Sequence, residues 1–300
     1  MHARRLLHIC VALATFSPAV QSGDPSYRES IEKWRVRYEA DLKQDNGWLA
    51  LAGLFWLKEG DNTFGSGPGN DLVLPSGSAP ESAGTFVFNH GATRVLVREG
   101  VPASFNGQPI RTAMPLQPDA TGKPDRVTLG QLSMVVIKRG GRYAVRLWDN
   151  NSPARRSYQG SHWFPIQEAY RITAQFTSYP QPRMIPILNV LGQTEPGPSP
   201  GFATFDLNGK RCRLEPMLED NRLFFVFKDL TSGNQTYAAG RFLYAPLPKD
   251  GQVVLDFNQA TNPPCAFTAY ATCPLPPRQN WLAVAVPAGE KTYSHAKSSD

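Results

Sequence analysis

Proline and glycine interrupt this sequence so densely that long helices are excluded from most of it. The 300 residues include 27 prolines and 25 glycines. Proline breaks helix interiors and glycine favours turns. The intervening stretches are short strand candidates, as in Gly84–Asn89 and Arg142–Asp149, and Tyr170–Tyr179 alternates apolar with polar residues. Regularly spaced short strands are typical of sandwiches and barrels. We therefore predict an all-β, sandwich- or barrel-like fold, with residues 45–150 and 165–293 as candidate lobes.

Turn residues support this interpretation at specific positions. Arg139-Gly140-Gly141 and Asn208-Gly209 each separate two strand-like runs and predict hairpins. The Pro/Gly-rich stretch 196–201 contains a G-x-S-x-G match around Ser199. A nucleophile elbow needs a strand before the serine and a helix after it. Prolines flank Ser199 and a strand-like run follows, so we predict a turn that connects strands rather than a nucleophile.

One amphipathic helix is predicted near the start, at residues 27–44. Ile31, Trp34, Tyr38 and Leu42 recur at helical spacing, with charged residues on the opposite face. Ser26 is the predicted N-cap.

Residues 1–22 have the pattern of a cleavable signal peptide. Arg4 and Arg5 precede an apolar run of about ten residues, and small residues follow it. The run is shorter than the roughly 20 residues that a membrane-spanning helix needs, and no later run is apolar enough for one. We therefore expect an exported protein, periplasmic or extracellular, without a transmembrane segment.

Charge argues against a nucleic-acid partner. The formal net charge is +6, and the basic residues are scattered singly rather than interleaved with aromatics. No metal or cofactor is expected, because the histidines after residue 22 are not at ligand spacing to a cysteine.

Three cysteines follow the predicted signal peptide. Cys265 and Cys273 are eight positions apart with prolines nearby, and Cys212 stands alone. An oxidising compartment favours a Cys265–Cys273 disulfide, while two buried thiols and metal binding remain alternatives.

The C-terminal third of the chain has a composition typical of a binding site. Polar residues are concentrated there among glycines and prolines, and stiff polar loops are one way to preorganise a binding site. Arg241 and Glu290 are candidates for an ion pair across this region. The candidate ligand-binding residues are Arg241, Asp256, Asn258, Asn262, Asn280 and Glu290.

Two resemblances to known families add to these patterns. Residues 48–74 resemble the opening of forkhead-associated domains, but the serine-arginine-x-x-histidine pattern of phosphopeptide readers is absent, so the resemblance implies only a small β-sandwich. Much of residues 28–293 resembles the DUF1684 family of bacterial proteins. That resemblance implies a β-rich, often exported protein, and it carries over no catalytic residues. The motifs that support it are Asp45–Gly65, Arg146–Asp149, Gln159-Gly160, Phe227-Lys228-Asp229, Thr231-Ser232-Gly233, Thr236-Tyr237, Gly240–Leu243, Leu255–Asn258, Asn262–Cys265, Cys273–Pro277, Asn280 and Ala288–Lys291.

The sequence leaves three functions open. The first is binding of a small polar or saccharide-like ligand in the cell envelope, with Trp148, Trp163 and Trp281 as possible stacking surfaces. The second is a hydrolase in which Asp256 or Glu290 acts as general acid or base and Arg241 stabilises negative charge. The third is a purely structural envelope protein.

Overall fold

The computed structural model describes residues 24–293, and it confirms the all-β prediction with one N-terminal helix. The predicted signal peptide, residues 1–22, lies outside the described residues. No helix within residues 24–293 has the length and apolar character needed to span a bilayer.

The N-terminal helix α1 spans Pro25–Lys43. Its N-cap is Asp24 and not the predicted Ser26, because the Asp24 carboxylate accepts the backbone N–H of Ser26 at 2.8 Å while Pro25 occupies the first turn. Ile31 and Leu42 are the buried residues of this helix. A second, short helix, α2, spans Pro153–Ser157.

Eleven strands form the N-terminal lobe. They are β1 (Leu51–Trp56), β2 (Gly60–Gly65), β3 (Leu72–Val73), β4 (Gly84–Asn89), β5 (Ala92–Val97), β6 (Ala103–Phe105), β7 (Gln108–Pro109), β8 (Met114–Leu116), β9 (Arg126–Leu129), β10 (Leu132–Arg139) and β11 (Arg142–Asp149). A five-stranded sheet, in the order β3-β2-β4-β5-β8, packs on a six-stranded sheet, in the order β1-β11-β10-β9-β6-β7. The lobe is therefore a β-sandwich.

Seven strands form the C-terminal lobe, which also includes the residues up to 293. They are β12 (Arg171–Leu188), β13 (Thr194–Leu207), β14 (Lys210–Leu214), β15 (Met217–Glu219), β16 (Arg222–Phe227), β17 (Arg241–Ala245) and β18 (Gln252–Asp256). A four-stranded sheet, in the order β14-β13-β12-β18, packs on a three-stranded sheet, in the order β15-β16-β17. Residues 282–288 complete the core between them.

The two lobes have separate hydrophobic cores. The core of the N-terminal lobe draws its buried residues from positions 64–147, and that of the C-terminal lobe from positions 170–288. A smaller cluster joins the lobes, where Leu51 and Trp148 pack near Phe224, Phe242 and residues of the 265–273 loop. The contact between lobes is thus partly apolar, and the loop after residue 260 belongs to it.

The predicted connection at 196–201 is wrong, because these residues lie inside β13. Residues two apart in a strand direct their N–H groups to the same edge, so Pro196, Pro198 and Pro200 all lack a donor at one edge. Strand β14 pairs only with Ala203–Leu207 and leaves this stretch without a neighbour on that side. Ser199 is fully buried, and its hydroxyl donates to the carbonyl of Gly201. It therefore has neither the turn nor the exposure of a nucleophile elbow.

Candidate functional site

Arg241 lies at the centre of a buried hydrogen-bond network in the C-terminal core. Its guanidinium is 0% exposed and pairs with Asp229 at 2.8 Å. The same group donates to the carbonyls of Val286 and Ala288 and lies over the ring of Phe227. Burial lowers the pKa of Arg241, and the Asp229 carboxylate opposes that shift. The side chain holds the segment 286–288 against β16 and β17 and faces neither cavity described below.

Asn280 has a comparable bracing role. Its amide nitrogen donates to the carbonyls of Glu215 and Val226 at 2.9 Å, and its oxygen accepts the N–H of Glu215 at 2.7 Å. Such a fully used amide has little capacity left for a ligand.

Asp256 and Asn258 attach α1 to the C-terminal lobe. The Tyr27 hydroxyl of α1 donates to the Asp256 carboxylate at 2.9 Å and accepts from the Asn258 amide at 2.9 Å. Asn258 also bonds both backbone groups of Gln167. Burial raises the pKa of Asp256. The predicted pair is therefore brought together, but against a helix and not at a cavity.

Glu290 lies directly behind the wall of a cavity between the two lobes, which is described below. It is 0% exposed and accepts hydrogen bonds from the Tyr38 hydroxyl (3.1 Å), the Ser161 hydroxyl (2.5 Å) and the Asn262 N–H (2.7 Å). Burial raises the pKa of Glu290 to about 7, and these three donors limit the rise. The expected ion pair with Arg241 is absent among the described residues, since the buried partner of Arg241 is Asp229.

A cavity of about 500 Å³ lies between the two lobes. We call it the inter-lobe cavity. Helix α1 and the N-terminal lobe form one side of it, while the β12–β13 hairpin, β15–β17 and the loop 261–274 form the other. Asn262 is the one predicted site residue on its wall, and its side-chain oxygen is buried without a hydrogen-bond partner. Six aromatic side chains also line the cavity: Tyr38, Trp48, Phe224, Phe242, Tyr244 and Phe267.

Arg146 of β11 is a buried, positively charged residue on the wall of this cavity. It lies between Leu54 of β1 and Val135 of β10 in the sheet, and only 7% of it is exposed. One nitrogen donates to the Thr272 hydroxyl at 3.2 Å, and Nε is buried without a partner. Among residues 24–293, no Asp or Glu forms an ion pair with it. The cation is buried without a counter-ion.

The electrostatics at Arg146 reflect this missing partner. Burial, together with the nearby positive charge of Arg139, lowers the pKa of Arg146 to about 10, and the Asp119 carboxylate limits this shift. Arg139 also lines the cavity but is neutralised by Asp119 at 2.7 Å. At neutral pH Arg146 remains charged, because a pKa near 10 is well above 7.

Sequence reasoning missed Arg146 as a site residue. The alternation in β11 places it opposite Val145 and Leu147, on the side of the strand that normally faces solvent. An arginine there is normally read as a surface residue. In the fold it is covered by residues distant in sequence, among them Thr272 and Trp48.

The tryptophans predicted as stacking surfaces do not line this cavity. Trp148 packs in the lobe contact, Trp163 packs against Trp34 of α1, and Trp281 is half exposed. Trp48 is the tryptophan on the cavity wall.

The predicted Cys265–Cys273 disulfide is not formed. Cys212, Cys265 and Cys273 are free thiols, and the backbone N–H of Cys265 donates to the sulfur of Cys273 at 3.1 Å. A hydrogen bond from the Cys273 thiol lowers the pKa of Cys265. Cys273 lines the inter-lobe cavity. The described residues contain no cluster of His, Cys, Asp and Glu that would hold a metal ion. That these two thiols form a disulfide in an oxidising compartment stays a prediction.

Comparison with known proteins decides the family. The family described as "Protein of unknown function (DUF1684)" matches residues 156–291. This chain belongs to the DUF1684 family. The matched range covers the C-terminal lobe and most of the loop wall of the cavity, whereas Arg146 precedes it. No curated protein matches the chain significantly.

Several solved structures are similar to parts of the chain. An uncharacterized protein of Haloarcula marismortui, solved by solution NMR, shares 34% identity over 47% of this chain and 81% of its own, with a TM-score of 0.40. The FHA-2 domain of a Mycobacterium tuberculosis ABC transporter shares 20% identity over 46% of this chain and 96% of its own, with a TM-score of 0.24. An FhaA FHA domain shares 16% identity over 30% of this chain and 82% of its own, with a TM-score of 0.22.

Proposed function

We propose that this DUF1684 protein binds a small, saccharide-like anion in the inter-lobe cavity. The observation that carries the proposal is Arg146, a buried cation without a counter-ion on the wall of a cavity of about 500 Å³. A volume of this size is within the range of ordinary small-molecule sites.

An anionic ligand group would satisfy Arg146. Burying a charge without a partner is costly, and a carboxylate pairs with a guanidinium through two parallel hydrogen bonds. Within the chain, the carboxylate of Asp229 neutralises Arg241 through one hydrogen bond of 2.8 Å. A ligand carboxylate or phosphate would do the same for Arg146 from outside the chain.

The rest of the wall suits a polyhydroxylated ring. Six aromatic side chains offer apolar faces against which the C–H face of a sugar ring buries area. Polar side chains between them, including Glu195, Glu219 and Asn262, supply hydrogen-bonding groups for hydroxyls. This combination favours a saccharide-like ligand over a purely apolar one.

We place the protein in the cell envelope because of the pattern of residues 1–22. The basic start, short apolar run and small residues support export. A disulfide between Cys265 and Cys273 in that compartment would fix the loop wall of the cavity.

The hydrolase alternative has less support from the geometry. Neither Asp256 nor Glu290 lines the inter-lobe cavity, and Arg241 is occupied by Asp229. A ligand in the cavity would touch none of these three residues. A purely structural role would account for the hydrogen bond from Arg146 to Thr272, but it would leave the charge of Arg146 without a counter-ion.

Native mass spectrometry of the purified protein tests the binding proposal. Wild type is compared with Arg146→Met and with Arg142→Met, an exposed arginine of the same strand that serves as the matched control. The protein freed of ligand is then titrated with galacturonic acid. We expect wild type and Arg142→Met to hold a small acidic molecule, and folded Arg146→Met to release it. The proposal would be overturned if Arg146→Met bound the acidic molecule as well as wild type does. It would also be overturned if wild type neither retained an acidic molecule nor bound galacturonic acid.

A further inference from the structure

A second cavity, of about 700 Å³, adjoins the inter-lobe cavity. We call it the outer cavity. Tyr38, Thr261 and Tyr244 line both cavities and form a partition between them. A ligand that fills the first space and continues past this partition therefore enters the second.

One face of α1 forms a wall of the outer cavity. Trp34, Arg37, Tyr38 and Asp41 lie at helical spacing on that face. The rings of Trp34 and Tyr38 are stacked with centroids 5.6 Å apart and planes 10° apart. The helix thus presents two parallel rings bordered by a guanidinium and a carboxylate.

Polar groups also come from the C-terminal lobe. Asn221, Arg222 and Gln259 line the outer cavity opposite the helix, and Arg37, Asp41 and Arg222 are all exposed. Amides, a carboxylate and guanidinium groups are donors and acceptors for hydroxyl groups. The outer cavity therefore also offers groups that can form hydrogen bonds with hydroxyl groups.

Two large side chains of the partition, Tyr38 and Tyr244, are held in place by hydrogen bonds, and the third, Thr261, is small. The Tyr38 hydroxyl is held by Glu290 at 3.1 Å, and the Tyr244 hydroxyl by Glu219 at 2.8 Å. Thr261 is held through its backbone, which exchanges two 2.9 Å hydrogen bonds with Phe242. Because the flanking rings are anchored, the size of the side chain at 261 sets the width of the passage.

We infer that the two cavities are consecutive subsites of one site, which takes an acidic oligosaccharide of two or more rings and whose length selectivity is set by Thr261. This rests on the proposed function, since it assumes that the acidic ring lies at Arg146. The next ring then crosses the partition and packs against Trp34 and Tyr38. A monosaccharide fills one cavity only, so chain length adds affinity.

Calorimetric titration with galacturonic acid, digalacturonic acid and trigalacturonic acid tests the inference. The proteins are wild type, Thr261→Phe, and Thr261→Val as the control that keeps a small branched side chain. We expect the dimer to bind wild type and Thr261→Val about tenfold more tightly than the monomer. In Thr261→Phe that gain is lost, while the affinity for the monomer is retained.

A double variant, Arg37→Ala with Asp41→Ala, gives an independent test in the case that Thr261→Phe does not fold. Both side chains are exposed on α1, so the fold tolerates their loss. We expect it to bind the monomer like wild type and to lose most of the dimer's gain.

The outcomes separate the inference from the proposed function. Monomer binding that depends on Arg146, with no gain for the dimer or trimer, would overturn the inference and leave the proposed function standing. The inference would also be overturned if both Thr261→Phe and the double variant still bound the dimer more tightly than the monomer, as wild type does. Failure of all three sugars to bind wild type would overturn both.

Discussion

Two buried arginines show how differently one side chain is used in the two regions of this molecule. Arg241, in the core of the C-terminal lobe, has a carboxylate and two carbonyls from its own chain. Arg146, at the contact between lobes, has one threonine hydroxyl and the nearby ring of Trp48, and no carboxylate among residues 24–293 pairs with it, while Nε lacks a hydrogen-bond partner in both arginines. A buried charge whose partners are all internal stabilises the fold. One whose partner is missing is suited to receive a partner from outside.

The largest expected effect is the loss of Arg241. Arg241→Met leaves the Asp229 carboxylate buried without its counter-ion, which costs about 3–5 kcal/mol of unfolding free energy. Urea denaturation of the folded variant measures it. Arg211→Met is the matched control, because Arg211 pairs with Asp206 in solvent and such pairs contribute about 0–1 kcal/mol. A loss below about 1 kcal/mol for Arg241→Met would remove the contrast between the two arginines.

The next effect concerns Glu290 and depends on pH. Its pKa is about 7 in the fold against an ordinary 4.5, so folding favours the protonated form. The folded state binds more protons in this window, and stability therefore falls as pH rises from 4.5 to 7. The full penalty, present above pH 7, is about 3 kcal/mol.

The variant Glu290→Gln separates the cost of ionising Glu290 from the other effects of pH on stability. The amide does not ionise, so the stability of wild type relative to Glu290→Gln should decline between pH 4.5 and 7 and level off above. Denaturation at a series of pH values measures this difference. Glu29→Gln, at an exposed position of α1, should follow wild type throughout. A flat difference would mean that Glu290 is already ionised at low pH.

The smallest effect is expected for Arg146 itself. Arg146→Met removes a buried charge that has no acidic partner, so the unfolding free energy should change by less than about 1 kcal/mol in either direction. Thermal or urea denaturation of ligand-free protein measures it. A loss comparable to that of Arg241→Met would show that Arg146 is a structural residue, and the contrast would fail.

Local patterns were sufficient for much of the fold. Strand alternation and glycine turns located the β10–β11 hairpin, with its turn at Gly140-Gly141, because both signals depend on neighbouring residues alone. The same rules failed for β13, where prolines are tolerated only because no strand pairs with one edge. Which edge is free depends on the assembled sheet.

The candidate site was harder to predict for a related reason. Asn258 and Asn280 lie in short 3₁₀ helices outside the strands, and their side chains satisfy backbone groups of the same lobe. The cavity arises where two lobes and α1 meet, so its residues come from distant parts of the chain. Only Asn262 belongs to both the predicted set and the cavity wall.

The attachment of α1 also determines when this protein can finish folding. Tyr27 bonds a carboxylate 229 positions later, and Tyr38 bonds one 252 positions later. Contacts of such long range are closed late and slow the folding of a chain. The helix therefore cannot dock until residues 256–290 are in place, so the walls that α1 gives to both cavities are among the last parts of the fold to form.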